Sequence, residues 1–267
     1  MKITSRDNSL LREVRAVREG KIEDLIFIEG LRLCEEARLS HLELEAVIVS
    51  EELLEKERAA AVIDQIASVS KRVASVSEKL LESVSYTKTP QGIIVLAQRP
   101  ASSEQRLAAS LDANSLLVVL HQINNPVNVG AILRTAEAAG ASGVITTQTT
   151  SDPFSPKSLR GAMGSAFRLP IWTGPNYSQV MAWCRQREIV TVCADVEATV
   201  SYTDLDWTGP HALLLGPEST GFTTEELNEA DQRVSIPMKG AAESLNVSVA
   251  AGILLFEAAR QRSSRQE

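Results

Sequence analysis

Cysteine is scarce: Cys34, Cys184 and Cys193 are odd in number and show neither CxxC nor metal-ligand spacing. They read as free thiols in a reducing cytoplasm, with no metal expected. Long apolar runs are missing too, the longest (such as Leu116 to Leu120) falling far short of a membrane span. The opening stretch "MKITSRDNSLLREVRAVREGK" lacks the apolar core of a signal peptide, so no membrane partner and a cytoplasmic location are expected. There is no surplus of positive charge. Lys and Arg number 27 against 34 Asp and Glu, a net charge of −7, which argues against a protein held to nucleic acid by charge alone. Neither a GxGxxG after the first strand nor a GxxxxGK[ST] occurs, which argues against a dinucleotide-binding fold and a P-loop ATPase. Internal repeats and low-complexity segments are also lacking.

What is there fits a soluble globular chain of 267 residues, 44% hydrophobic and 23% charged, long enough for one large domain or two ordinary ones. A polar, small-residue seam, "QRPASSEQRLAASLD" (98–112), suggests a domain spanning 1–97, a linker over 98–112 and a second domain spanning 113–267. In the first part "LLREVRAVREG" reads as a helix closing at Gly20, "DLIFIEG" and "LEAVIVS" as strands around the helix "LRLCEEARLS". "VASVSEKLLESV" reads as a strand-helix pair and "GIIVLAQ" as a last strand. Beyond the seam, strands "SLLVVL", "GVITT", "IVTVCA", "HALLL" and "VSIPM" alternate with helices. That pattern predicts a parallel sheet covered on both faces, an α/β fold. Charge is uneven: residues 1–21 hold six Lys or Arg against three Asp or Glu. A basic arm on an acidic body can touch phosphates, and Lys2, Arg6, Arg12, Arg15 and Arg18 are its candidates; a solvated helix face accounts for them equally well.

Ligands of open parallel sheets gather at the carboxyl ends of the strands. Three strand-to-helix loops carry unusual residues there: "NNPVNVGAILR", "GPESTGF" and "PMKGAAESLN". In the first, Asn128 is a candidate N-cap with Gly130 at the helix start. Arg134 lies nearly two turns further on among Ile132, Leu133 and Ala136, where a charge calls for a partner. In the second, Gly216 and Gly221 permit tight turns and close approach of a ligand around Glu218. Thr223 and Glu226 just beyond have capping-box spacing. In the third, Ser244 is a natural N-cap worth ~1 kcal/mol, which leaves Asn246 without a reason. Taken alone, the first and third loops read better as ordinary caps and the second equally well as an ordinary turn; three at successive sheet edges are more specific.

Taken in order, "NNPVNVGAILRTAEAAG", "LLLGPESTGF" and "SIPMKGAAESLNVSVAAGILLFE" resemble the three motifs of the SpoU (TrmH-like) family of RNA 2′-O-ribose methyltransferases, of the SPOUT superfamily. "SPKSLRGAMGSAFRLPI" resembles the stretch that the family carries between the first two, with Ala162 where many relatives have serine. "FIEGLRLCEEA" and "YTKTPQGIIVLAQ" are similar to the family's L30e-like substrate-binding module.

The resemblance implies a C-terminal parallel-sheet domain closed by a deep trefoil knot, which pattern alone never proposes. It further implies S-adenosylmethionine as cofactor, S-adenosylhomocysteine as product, and an active site formed across a homodimer. By the same resemblance Arg134 anchors the RNA phosphate and serves as, or organises, the general base. An arginine base is chemically awkward, since a free guanidinium has a pKa of about 12.5–13.8. Asn128 would orient Arg134 or the ribose, Glu218 would brace the first and third loops, and Ser244 and Asn246 would lie beside cofactor and ribose. Backbone groups near Gly216, Ile236 and Leu245 would meet the cofactor, with Leu215 and Met238 as apolar walls. The implied substrate is structured RNA, 23S rRNA ahead of tRNA. A non-catalytic RNA- or ribosome-binding protein that kept the fold is the competing reading, and a small-molecule methyltransferase is disfavoured by the N-terminal module.

Overall fold

A computed structural model of the chain describes residues 1–264, the side chain of Arg58 excepted. Two compact units emerge: Met1–Pro100 together with Phe154–Arg168, and Ala101–Pro153 together with the residues from Leu169 onward.

The first unit opens with β1 (Lys2–Ile3) and α1 (Ser9–Arg18). Leu10, Leu11, Val14 and Val17 are spaced to put one apolar stripe on α1, and all four are buried. The Asn8 side chain caps its first turn, and Gly20, at φ +71°, ends it as the glycine requires. Then follow β2 (Leu25–Glu29), α2 (Leu31–Leu39), β3 (Leu44–Ser50), α3 (Glu51–Leu54), α4 (Glu57–Ser68), β4 (Val73–Val76), α5 (Glu78–Glu82) and β5 (Ile93–Gln98). The strands form one mixed sheet in the order β1-β4-β3-β5-β2, with β5 antiparallel to both of its neighbours. Ala46, Ile48, Ile94 and Leu96 from its centre pack with the α1 stripe.

The second unit begins with α6 (Glu104–Ala108) and runs through β6 (Leu116–Leu120), α7 (Pro126–Ala138) and β7 (Gly143–Thr146). Next in the chain come α8 (Pro156–Ala162) and α9 (Ser165–Arg168), which belong to the first unit: α8 packs on β2, and Arg168 Nη1 donates to Glu36 Oε2 at 2.6 Å. The chain then returns with β8 (Ile171–Thr173), α10 (Tyr177–Gln186), β9 (Val190–Ala194), β10 (His211–Leu215), α11 (Thr224–Glu229), β11 (Gln232–Val234) and α12 (Val247–Ser263). Its six strands lie in the order β11-β9-β10-β6-β7-β8, every pair parallel. Every residue of β6 and of β10 is buried, as continuous apolar runs in the middle of a doubly covered parallel sheet demand.

Three local expectations need correction. α7 is capped by Asn125, whose side chain accepts from the Val127 N–H, with Pro126 in the first turn; Asn128 lies inside the helix. Proline at the first helical position has no N–H to satisfy, so the cap belongs to the residue before it. α12 is capped by Asn246, not Ser244, the Asn246 side chain accepting from the Ser248 N–H. The strand expected over "VSIPM" is β11, ending at Val234. Beyond it Ser235 exchanges backbone bonds with Val200 and Tyr202 instead, and Pro237 has no N–H to continue a ladder. Helices α3, α4, α6, α8, α9 and α10 and strands β1 and β8 were not anticipated. α10 nevertheless has a capping box between Asn176 and Gln179 that its spacing already displays.

Candidate active site

The carboxyl ends of β6, β10 and β11 each release one of the three motif loops, so the topology gathers them at one sheet edge. The second and third loops line a cleft of about 700 Å³. Leu215, Gly216, Glu218, Ile236, Met238, Ser244, Leu245 and Asn246 all contribute to its walls.

Gly216 and Phe222 shape its floor. A Cβ added at Gly216 would meet the Phe222 ring at 2.7 Å, so only glycine lets the chain pass over that ring undisturbed. Leu215 at the end of β10 is buried, whereas Ile236, Met238 and Leu245 are half-buried and offer apolar surface to the cleft.

A relay of amides ties the three loops together. Asn128 is only 6% exposed. Its Nδ2 donates to Glu218 Oε1, and its Oδ1 accepts from Asn246 Nδ2 at 3.4 Å. Asn246 Oδ1 meanwhile accepts from the Ser248 N–H at 2.9 Å and the Ser248 hydroxyl at 2.6 Å. Thus one residue from each loop enters a single hydrogen-bonded chain.

Arg134 stands apart from this relay. It is exposed, and among the described residues it makes no hydrogen bond or ion pair. The expectation of a buried partner is therefore corrected: Ile132, Leu133 and Ala136 turn inward on α7, while position 134 falls on the opposite side of the helical period. In the first unit Arg6 and Arg12 are exposed, and among the described residues their side chains have no hydrogen bond or ion pair. Arg15 donates to the Arg6 carbonyl at 2.6 Å, Arg18 to the Ser85 carbonyl at 2.9 Å, and Lys2 pairs with Glu51 at 2.6 Å.

Sequence reasoning overlooked Asp195, Val196 and Glu197, which also line the cleft. Asp195 directly follows β9, the same strand-end position that singled out the three loops. Arg233 fixes its carboxylate through contacts of 3.0 and 2.6 Å. Among the described residues the lining includes four carboxylates (Asp195, Glu197, Glu218 and Glu243) and no Lys or Arg. Such a cleft repels polyphosphates and suits a cationic ligand with an apolar, flat portion.

The SpoU rRNA Methylase family model matches residues 115–256. The chain belongs to the SpoU family. Residues 10–95 of this SpoU chain match the MRM3-like substrate binding domain. A 23S rRNA (uridine(2479)-2′-O)-methyltransferase from Streptomyces viridochromogenes is 35% identical over 198 residues, covering 72% of this chain and 68% of the relative. The 23S rRNA (guanosine-2′-O-)-methyltransferase RlmB of Ralstonia nicotianae is 35% identical over 194 residues, 72% of this chain and 78% of the relative. Among solved structures, an AdoMet-bound rRNA methyltransferase from Sinorhizobium meliloti has a TM-score of 0.85 at 29% identity, covering 97% of each chain. The SpoU methyltransferase AviRb of Streptomyces viridochromogenes, in complex with AdoMet, has a TM-score of 0.86 at 28% identity and covers 96% of this chain and 99% of its own.

The residues present fit this cofactor. Its adenosine needs apolar walls and backbone partners, which Leu215, Ile236, Met238 and Leu245 and the chain around Gly216 offer. Its positively charged sulfonium and amino groups suit the acidic lining.

Proposed function

We propose that this SpoU chain is an S-adenosylmethionine-dependent methyltransferase acting on a ribose 2′-hydroxyl of 23S rRNA. The observation that carries the reading is the acidic cleft of the second and third loops, tied by Glu218 and Asn246 to the Asn128 of the first. When bound, the cofactor supplies a methyl group already activated by its sulfonium.

The chain's own residues do the rest. Asn128, Glu218 and Asn246 hold the loops in one geometry, so that a bound ribose and the cleft meet in a fixed orientation. Ser244, exposed on the cleft wall, offers a hydroxyl to whichever of the two lies beside it. The cleft itself repels phosphate, so the RNA backbone needs a separate anchor. Arg134, exposed and without a partner among the described residues, supplies one suited to bidentate phosphate binding. Arg6, Arg12 and Arg15 in the first unit add phosphate contacts, while the domain over 1–97 selects the RNA by shape and loop bases. The linker over 98–112 joins it to the catalytic domain, 113–267, whose last segment is threaded as a trefoil knot. The enzyme works as a homodimer through α7 and α12, where Val127, Val249 and Phe256 leave apolar surface exposed at 45%, 51% and 54%. Among the described residues no helix is long and apolar enough to cross a membrane, and an rRNA substrate implies action in the cytoplasm.

The test is transfer of labelled methyl from S-adenosylmethionine to rRNA lacking the modification, followed by mapping of the 2′-O-methyl position. Arg134→Ala should abolish transfer while leaving S-adenosylhomocysteine affinity intact. Cofactor binding by the wild type without any RNA labelling would instead favour a binding protein that kept the fold.

A further inference from the structure

Behind the cleft floor lies a buried imidazole that the proposed mechanism does not use. His121 follows directly on β6, is 3% exposed and does not line the cleft, so it cannot reach a reacting atom. Its backbone N–H donates to the Leu215 carbonyl at 2.9 Å, joining it to the strand that feeds the second loop. Nε2 lies 2.9 Å from Glu226 Oε1, and Nδ1 lies 3.0 Å from Thr147 Oγ1.

Glu226 is the far post of the second loop. Its other oxygen, Oε2, accepts from the Thr223 N–H at 2.8 Å and closes the capping box of α11. The Tyr177 hydroxyl donates to the Glu226 carbonyl at 2.8 Å, so the same residue is held at its backbone as well. The His121 ring also stacks on Phe222, with centroids 5.8 Å apart and planes 6° from parallel, and meets the Tyr177 ring edge-on at 4.9 Å. Phe222 in turn lies directly against Gly216. His121 therefore holds the C-terminal end of the loop 216–223 through a carboxylate and a ring, and meets its N-terminal end through the backbone bond to Leu215.

We propose that His121 is a positioning residue for the cofactor, latching the loop 216–223 in its binding-competent shape through Glu226 and Phe222. This rests on the methyltransferase reading given above. A carboxylate oxygen only accepts, so Nε2 carries its proton toward Glu226, and the carboxylate serves two N–H donors at once. Without the latch the loop samples other conformations, and apparent affinity falls by the fraction of chains left competent. Once cofactor saturates the protein, the loop is back in place and turnover recovers. The latch therefore acts on KM for the cofactor and not on kcat.

The experiment uses the full chain and S-adenosylhomocysteine as the calorimetric probe, with methyl-transfer kinetics alongside. His121→Ala removes the latch. Glu226→Leu keeps nearly its size and has no oxygen to accept from either donor. Both should raise Kd for the probe and KM for the cofactor about tenfold, with kcat near wild type at saturation. His121→Gln, whose amide can still donate to the carboxylate, should recover most of the affinity. Unchanged Kd in folded Glu226→Leu protein overturns the proposal, even where His121→Ala fails to fold. A fall in kcat with KM unchanged overturns it equally. If the wild type itself does not bind the probe, the methyltransferase reading fails and the latch fails with it. If wild type binds and the variants bind as tightly, only the latch fails.

Discussion

Replacing Gly216 by alanine tests the cleft floor with a single added carbon. The backbone there lies outside the left-handed region, so alanine is acceptable to the main chain and the effect is purely steric. The new Cβ would lie 2.7 Å from two carbons of the Phe222 ring and 3.0 Å from a third. Carbon atoms pack best at about 3.5–4.0 Å, so ring and loop must separate by roughly 1 Å. Phe222 cannot simply withdraw, because His121 stacks on it and Tyr177 tilts against it with centroids 6.2 Å apart. Overpacking of this kind costs about 1–3 kcal/mol. Taken entirely by the fold, that is a melting-temperature loss of about 2–12 °C for a domain of this size. Any part taken by loop displacement appears instead as weaker cofactor binding, tenfold for each ~1.4 kcal/mol.

Calorimetric binding of S-adenosylhomocysteine and thermal unfolding together account for the whole cost. The second mutation of a cycle, Phe222→Ala, removes the ring that the Cβ strikes. It weakens packing by itself, yet Gly216→Ala should cost far less in its presence, a coupling of at least about 1 kcal/mol. Additive effects in the cycle, or wild-type binding and stability in Gly216→Ala alone, would refute the claim that this glycine is required by Phe222.

Asn246→Asp should leave the melting temperature within a few degrees, because aspartate caps a helix as well as asparagine does. It loses the donor to Asn128, so methyl transfer should fall at least about tenfold; wild-type turnover would remove the relay from the site. Cys34, Cys184 and Cys193 are all buried, and burial raises all three thiols, Cys184 and Cys193 to about 12. A raised thiol stays protonated and unreactive until the pH approaches its pKa, so a disulfide reagent at pH 8 should label none of them in folded protein and all three in denaturant.

Local chemistry was readable wherever a few neighbouring residues decide the outcome. α1 ends where Gly20 allows, and the Thr223–Glu226 box forms with both of its hydrogen bonds. The apolar runs of β6 and β10 lie where continuous burial requires. Readings failed where two polar residues compete for one role. Asn128 was a plausible cap by type, but Pro126 transfers that role to Asn125, and Asn128, inside the helix, donates instead to Glu218, ninety positions away in the chain. Ser244 lost the cap to Asn246 in the same way. The association of α8 with β2 rests on contacts between segments more than a hundred residues apart, which no local pattern encodes. Of the site residues, the three loops were legible because they follow strand ends and their cleft walls only through the resemblance to a known family; His121 was not legible, because nothing in "VVLHQ" foretells its meeting with Glu226.

The relay has a direction, and Glu218 sets it. An amide can turn either face to a neighbour, but a carboxylate only accepts. Asn128 must therefore point Nδ2 at Glu218, which leaves its Oδ1 facing Asn246. Asn246 must then donate to Asn128, so its own oxygen is left for the first turn of α12, where a helix needs an acceptor. One negative charge on the second loop thus orients a side chain on the first and caps the helix that follows the third. Capping and site chemistry are not rival explanations of Asn246: the two ends of one amide carry one each, and the cap is correct only because the relay is.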